Sequence, residues 1–286
     1  MRLSISNIAW RAEEEAAVAK LLQARGITGV EIAPGRIAPP GLTAARTGVA
    51  PSELTDDEVL RYRSFWGDHN IEVVAMQALL FGQPDLQVFG DASDRRALVR
   101  YLTRIVAIGG LAGAKALVFG SPKNRRVDGL TANEIEARSR EVFRELGAIA
   151  VDHGTCLCIE PNPPEYGCNW ITSAAEAKAL VDRIDHPGFG LHLDAAALHL
   201  ANEDAALLRS MASEARHFHV SEPELAPVGA PTSPVPHASF AAALGDARYA
   251  NWISIEMRQP APDASNLPAL TAALDFTATT YAVMLG

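Results

Sequence analysis

Four short apolar runs in this chain each end in, or enclose, a strong metal ligand: CLCIE closes on Glu160, FGLHLD on Asp194, ARHFHV contains His219, and WISIE closes on Glu256. Three carboxylates and one imidazole, each at the carboxyl end of a β-type run, describe a site for one divalent cation. The donor set is hard, which suits Mn²⁺, Mg²⁺ or Co²⁺ and also admits Zn²⁺. Against a dication three carboxylates leave about one negative charge, so a neutral polyol or keto-sugar can chelate through two oxygens. A carbonyl held there is polarised, an enediolate is stabilised, and a nearby carboxylate can move the proton alpha to it. That is isomerase or epimerase chemistry.

The register of the four runs supports the grouping. Side chains alternate between the two faces of a strand, so a ligand and the residues two and four before it point the same way. Cys156 and Cys158 then share a face with Glu160, His192 lies below Asp194, His217 below His219 and Ser254 below Glu256. His192 and His217 read as supporting or core histidines rather than ligands. Cys156, Cys158 and Cys168 form no even disulfide framework, and a C-x-C on a buried strand is more often packing than a zinc–thiolate site. Free thiols point to a reducing, cytoplasmic setting.

Further residues at the same ends of the runs are candidate substrate contacts. Asn162 and Tyr166 follow Glu160, Glu222 follows His219, and Arg258 shares the parity of Glu256, where an ion pair with a nearby acid is an equally good reading. The GSPKNRR turn after the fourth run brings Ser121, Lys123, Arg125 and Arg126 to the mouth, where cations could grip a phosphate, a carboxylate or a nucleotide-linked sugar. A solvated basic loop explains that turn about as well. Glu31 and Gln77 end their own runs and could bond substrate hydroxyls, although polar residues that merely cap a barrel are commoner. Trp10 and Trp170 read as packing, and His237 as a helix-start residue behind a loop.

The elements that must position these groups can be read from the same sequence. Eight β-type runs, at 3–10, 29–33, 72–79, 116–121, 156–161, 189–194, 217–222 and 252–257, alternate with amphipathic helical stretches. Three helix starts carry a hydroxyl followed three residues later by glutamate, the capping-box spacing: Thr55 with Glu58, Thr131 with Glu134, and Ser173 with Glu176. Gly26 is placed as a helix C-terminal glycine. Eight β–α units predict a parallel sheet closed into a (β/α)8 barrel spanning 1–286 as a single domain. An open doubly wound sheet is the alternative, but no G-x-G-x-x-G follows the first run, and ligands on four consecutive strands converge only if the sheet curves. Two long proline-containing connections, 32–54 and 223–239, lie on the carboxyl side and read as stiff lids. The apolar segment 267–285 reads as a helix that packs on the barrel or on another subunit of a homo-oligomer.

Composition narrows the partners. The 286 residues carry a formal net charge of −9, which argues against nucleic acid or an anionic membrane as the main partner. With 48% hydrophobic and 21% charged residues the chain can fill a large core. The N-terminus shows no secretory pattern, and the most apolar stretch is interrupted by glycines and Lys115, so no membrane span is expected.

Through IEPN at Glu160, HLDAAALH at Asp194, HFHVSE at His219 and ISIEMR at Glu256, the whole chain resembles the xylose isomerase-like barrels, the sugar phosphate isomerase/epimerase group. The resemblance implies a small-molecule sugar or sugar phosphate as partner and one divalent metal held by Glu160, Asp194, His219 and Glu256. In the ketose epimerase branch the two glutamates also act as the acid/base pair on opposite faces of the substrate, roles that fall here to Glu160 and Glu256. Ser221 and Glu222 match the serine and glutamate after the family's histidine. The chain departs from that branch at Leu225, where an arginine is usual, at Ala197, where a histidine is usual with His199 two positions on, and at Tyr166, where a glutamate is usual and Glu165 is adjacent. The related endonuclease branch needs additional histidines that are not found at matching motifs. A dehydratase of a keto-sugar or cyclitol, and a non-catalytic sugar-binding barrel, are the alternative functions that the same core allows.

Overall fold

The computed structural model describes residues 1–37, 50–259 and 264–281. Eight parallel strands pair in sequence order: β1 Arg2–Ser6, β2 Gly29–Ile32, β3 Glu72–Met76, β4 Ala116–Phe119, β5 Leu157–Ile159, β6 Phe189–Asp194, β7 Ala215–Ser221 and β8 Trp252–Glu256. The last pairs back onto the first, with Ser4 beside Ser254, and closes the barrel. The expected (β/α)8 architecture is the observed one.

Around it lie α1 Glu15–Ala24, α2 Asp56–Gly67, α3 Ala92–Ala112, α4 Ala132–Asp152, α5 Ala174–Ile184, α6 Ala195–Leu200, α7 Ala205–Met211, α8 His237–Asp246 and α9 Leu267–Thr280. Two of the expected capping boxes are complete, Thr55 with Glu58 on α2 and Thr131 with Glu134 on α4. The third is half formed. Ser173 Oγ accepts from the Glu176 amide at 3.2 Å, but the Glu176 carboxylate turns to the Thr172 amide at 2.6 Å. The first amides of α5 are taken instead by Glu203, at 2.9 Å from Ala174 and 3.2 Å from Ala175. A box between Asp91 and Asp94 starts α3. Gly26 follows α1 with φ of 68°, a left-handed conformation that glycine adopts at little cost.

Several strands are shorter than the apolar runs suggested. The run 3–10 leaves the ladder at Asn7, where the backbone turns into a 3₁₀ helix over Asn7–Ala9, and the run 72–79 leaves it at Met76. The run 156–161 contributes only Leu157–Ile159. Glu160 still donates its amide to Phe119 O at 3.1 Å, but Pro161 has no N–H to continue the ladder. Glu160 therefore stands on the rim.

Inside the barrel, small and sulfur-containing residues make the floor: Val74, Ala75, Ala116, Cys156 and Cys158 pack with Trp252. A Cβ at Gly29 would meet the Trp252 ring at 2.5 Å, so this position must be bare. Arg2 covers the same ring from below, 4.3 Å from its centroid. The outer core is apolar between strands and helices, as where Phe143 on α4 meets Phe119 and Phe189. On α9, Leu270, Ala273 and Leu274 are buried, and the helix packs against α8 and β8 of the same chain. The rest of the expected apolar segment, 282–285, lies outside the described residues, as do 38–49 of the first long connection. Among the described residues no helix is long and apolar enough to cross a membrane.

Candidate metal centre

The ligand atoms of Glu160, Asp194, His219 and Glu256 all lie within 4.8 Å of one another. His219 Nδ1 is 3.3 Å from Glu256 Oε2, 3.7 Å from Glu160 Oε1 and 3.8 Å from Asp194 Oδ2. Donors held about 2.0–2.3 Å from one ion stand roughly 3–4 Å apart, the spacing seen here. His219 Nδ1 is buried and has no hydrogen-bond partner. A buried orphan nitrogen facing three carboxylates is the feature a cation would satisfy.

Each of these side chains is held by its own neighbours. Asp194 ends β6 and caps α6, its Oδ1 accepting from the Ala197 amide at 2.7 Å. Its Oδ2 accepts from Ser221 Oγ at 2.5 Å, while Ser221 Oγ accepts from the Ala196 amide at 3.0 Å. Asn162 Nδ2 donates to Glu160 Oε2 at 3.2 Å and to Gly120 O at 2.9 Å. A Cβ at Gly120 would fall 2.0 Å from Glu160 Oε2, so the end of β4 is bare where that carboxylate passes. His219 Nε2 lies 3.0 Å from Glu31 Oε1, which holds the proton on Nε2 and frees Nδ1 for the centre. His217 Nε2 bonds Ser254 Oγ at 2.9 Å and stands 3.5 Å from Glu31. The imidazole of His192 lies 3.5 Å from Glu160 Oε1.

The electrostatics follow from crowding charge in a dry space. Burial, with the charges of Glu160 and Glu256, pushes the Asp194 carboxyl up from 3.8 to about 7. Burial also raises Glu256, opposed by His219 and reinforced by Glu160 and Glu31. Burial alone would raise Glu160 too, but His192 and His219 hold it well below the usual carboxylate range. For His219 burial is outweighed by Glu31 and Glu256, which lift it well above the ordinary imidazole value. His192 falls to about 4 through burial and the charge of His219. The cluster alone thus retains protons on groups that would otherwise repel or lack a partner. A dication can take their place, so the residues fit a divalent metal.

Two cavities open at this end of the barrel and share Pro122, Glu160, Asn162 and Tyr166 as a common wall. The smaller, about 400 Å³, exposes Asp194, Glu256, Glu222, Leu225 and Arg258. The larger, about 610 Å³, extends toward the ends of β3 and β4 past Gln77, Phe81 and Lys123. Tyr166 Oη accepts from the Glu224 amide at 3.1 Å, and Arg258 donates to Glu224 O and Leu225 O, so both hold the turn after β7 over the centre. That turn places Glu224 and Leu225 at φ of 58° and 57°, strain that these contacts sustain.

Other candidates from the sequence are held by partners of their own or lie farther from the cluster. Glu222 lines the smaller cavity, but its oxygens are engaged by His237 Nε2 at 3.0 Å and Ser233 Oγ at 2.8 Å. His237 begins α8 and its Nδ1 reaches Tyr281 Oη at 2.7 Å, so it ties a loop to α9 rather than merely starting a helix. Arg125 is fully buried, lines neither cavity, and reaches Cys168 Sγ at 3.5 Å. Arg126 pairs with Asp128 at 2.7 Å. Of the cations in that turn, only Lys123 lines either of these cavities. Glu31 points at two histidines, not at a cavity. Trp10 packs edge-on to Trp66 and Trp170 stacks on Phe143, as core residues do. The bond from Ser221 to Asp194 and the bare Gly120 had no part in the sequence reading, although the strand parity of Ser221 with His219 was a usable signal.

Residues 17–278 match the family model of the xylose isomerase-like TIM barrel. No curated protein sequence matches the chain. Solved structures with the same fold include a D-psicose 3-epimerase determined in the presence of D-fructose, 17% identical, covering 98% of this chain and 99% of that one with a TM-score of 0.79. A 3-keto-D-glucoside 4-epimerase from E. coli is 16% identical, covers 99% of both chains and gives a TM-score of 0.74. An IOLI protein with a bound zinc atom is 17% identical, covers 99% of this chain and 98% of that one, and gives 0.72.

Proposed function

The chain belongs to the xylose isomerase-like TIM barrel family, and from that membership and the four-ligand cluster we propose that it is a divalent-metal-dependent isomerase or epimerase of a sugar or sugar derivative. The observation that carries this reading is the convergence of Glu160, Asp194 and Glu256, which line a cavity, on the buried and unpartnered His219 Nδ1. Structural neighbours named as sugar epimerases, and one named with a bound zinc atom, support it.

Glu160, Asp194, His219 and Glu256 would hold the ion, with Mn²⁺, Mg²⁺, Co²⁺ and Zn²⁺ all compatible with three oxygens and one nitrogen. When bound, such an ion supplies Lewis-acid polarisation of a carbonyl. Glu160 and Glu256 are the acid/base pair that moves the proton on the neighbouring carbon, and both reach the same cavity. Their surroundings differ, His192 and His219 holding Glu160 ionised while burial favours a proton on Glu256. Asp194 is fixed by Ser221 and the Ala197 amide and serves as a ligand. Asn162 orients Glu160, and Tyr166 and Arg258 hold the turn after β7 beside the cluster.

The reading is tested by incubating Mn²⁺-supplemented protein with ketoses in D₂O and following deuterium entry at carbon by NMR. Exchange in the wild type that falls roughly 10²–10⁴-fold in Glu256→Gln, with the fold retained, is the expected result. Undiminished exchange in that variant would remove Glu256 from the chemistry, and loss of water from the substrate would move the protein to the dehydratases.

A further inference from the structure

The larger cavity has no place yet in the proposed chemistry. It meets the metal cluster only at Glu160, while the smaller one contains Glu160, Asp194 and Glu256 together. A sugar carbon held against the acid/base pair therefore lies in the smaller cavity, and the larger one, at about 610 Å³, opens directly beside it past Asn162 and Tyr166. Each volume is within the roughly 300–1,000 Å³ of small-molecule sites.

Its walls favour one kind of occupant. Phe81 is 83% exposed, by far the most exposed large apolar side chain among the described residues, and it belongs to this cavity. A defined turn presents it, with Phe81 N donating to Ala78 O at 3.1 Å and Gln83 N to Leu80 O at 3.0 Å. The same cavity is lined by Gln77, Gln83, Ser121 and Lys123. An aromatic face for C–H groups, with amides and a hydroxyl at its edge, recognises a neutral sugar ring. An anion is served poorly, because Lys123 is the single cation among the described residues that line the cavity, with Arg125 buried and Arg126 paired.

We propose that the larger cavity is a second sugar subsite, and that the substrate is a glycoside or other two-unit sugar whose reacting unit lies against Glu160, Asp194 and Glu256 while its second unit stacks on Phe81. This rests on the sugar isomerase or epimerase reading above. The test is calorimetry on the Mn²⁺-loaded full chain with D-fructose and with isomaltulose, a 6-O-glucosyl ketohexose, in wild type and Phe81→Ala, alongside deuterium exchange on both sugars. Expected is a Kd for isomaltulose at least about tenfold lower than for fructose, a difference that Phe81→Ala erases while leaving the fructose Kd within about twofold. Equal affinities, no binding of either sugar, or a preference that survives Phe81→Ala would overturn the subsite. So would a change of oligomeric state in Phe81→Ala with the sugar preference intact, which would give the ring to a contact between copies. Preferential disaccharide binding without deuterium exchange would keep the subsite and refute the catalytic reading alone.

Discussion

His219 shows how a residue's role is set by what lies behind it. Its Nε2 is committed to Glu31, so only Nδ1 is left for the three carboxylates. Replacing Glu31 by Gln should weaken Mn²⁺ binding roughly 10–100-fold in a titration while the protein stays folded, since the amide cannot fix the imidazole as the carboxylate does. Unchanged affinity would mean that Glu31 serves only the histidine packing. Asp194 carries a second prediction. Its folded value of about 7 exceeds 3.8, so between these pH values the native metal-free protein holds a proton the unfolded chain has released. This contribution to stability is present below about pH 4 and is lost as pH rises toward 7. Metal must displace that proton, so apparent Mn²⁺ affinity should fall as pH drops below 7, and calorimetry at pH 6 in two buffers of different ionisation heat should show proton release. Zero release would contradict the assignment of Asp194 as a ligand. The grouping of Glu160, Asp194, His219 and Glu256 was legible because strand parity aligns them with His192, His217 and Ser254. Arg125 and Glu31 were not, because parity gives a direction but not whether a neighbouring turn or imidazole occupies the space.

At the scale of elements, the end of β4 and the rim residue after β5 are built for each other. Gly120→Ala would place a methyl group 2.0 Å from Glu160 Oε2 and force that carboxylate aside. Metal affinity and turnover should drop at least about tenfold with little change in melting temperature, because the strain can be relieved by moving one rim side chain rather than the sheet. A variant with wild-type metal binding would show that Glu160 is not held where the structure has it. A second device ties the two ends of the chain. Glu14 accepts from the Asn266 amide and from its Nδ2, both at 2.8 Å, fixing the start of α9 against the segment that leads into α1. Burial opposes the charge of Glu14, but these bonds bring its value down to about 2, so the tether is complete above the usual carboxylate range and is lost as pH falls toward 2. Glu14→Ala should cost about 1.5–3 kcal/mol in denaturant unfolding at neutral pH, and less in acid. Helix starts were readable where hydroxyl and glutamate stand alone, as at Thr55 and Thr131. At Ser173 the helix starts where the spacing places it, but the box is only half formed: the Glu176 carboxylate turns to the Thr172 amide, and Glu203, distant in sequence, takes the Ala174 and Ala175 amides. Strand ends were overextended for a related reason, since hydrophobicity continues onto the rim after ladder pairing has stopped.

For the molecule as a whole, the closed barrel follows from eight β–α alternations, and closure is what turns four separate strand ends into one centre. Strand order was legible because each unit is local in sequence. The shape of the mouth was not, since the turn after β7, the turn carrying Phe81 and the two joined cavities arise from loops that meet only after the barrel has closed. The most direct test of the central claim is the metal content of the purified full chain, wild type against Asp194→Ala, after incubation with Mn²⁺ and exhaustive dialysis. About one ion per chain in the wild type and little in the variant is the expected outcome for a four-ligand site with matched carboxylates. Equal metal content in the two proteins, or none in the wild type, would contradict the assignment of Glu160, Asp194, His219 and Glu256 as a metal centre.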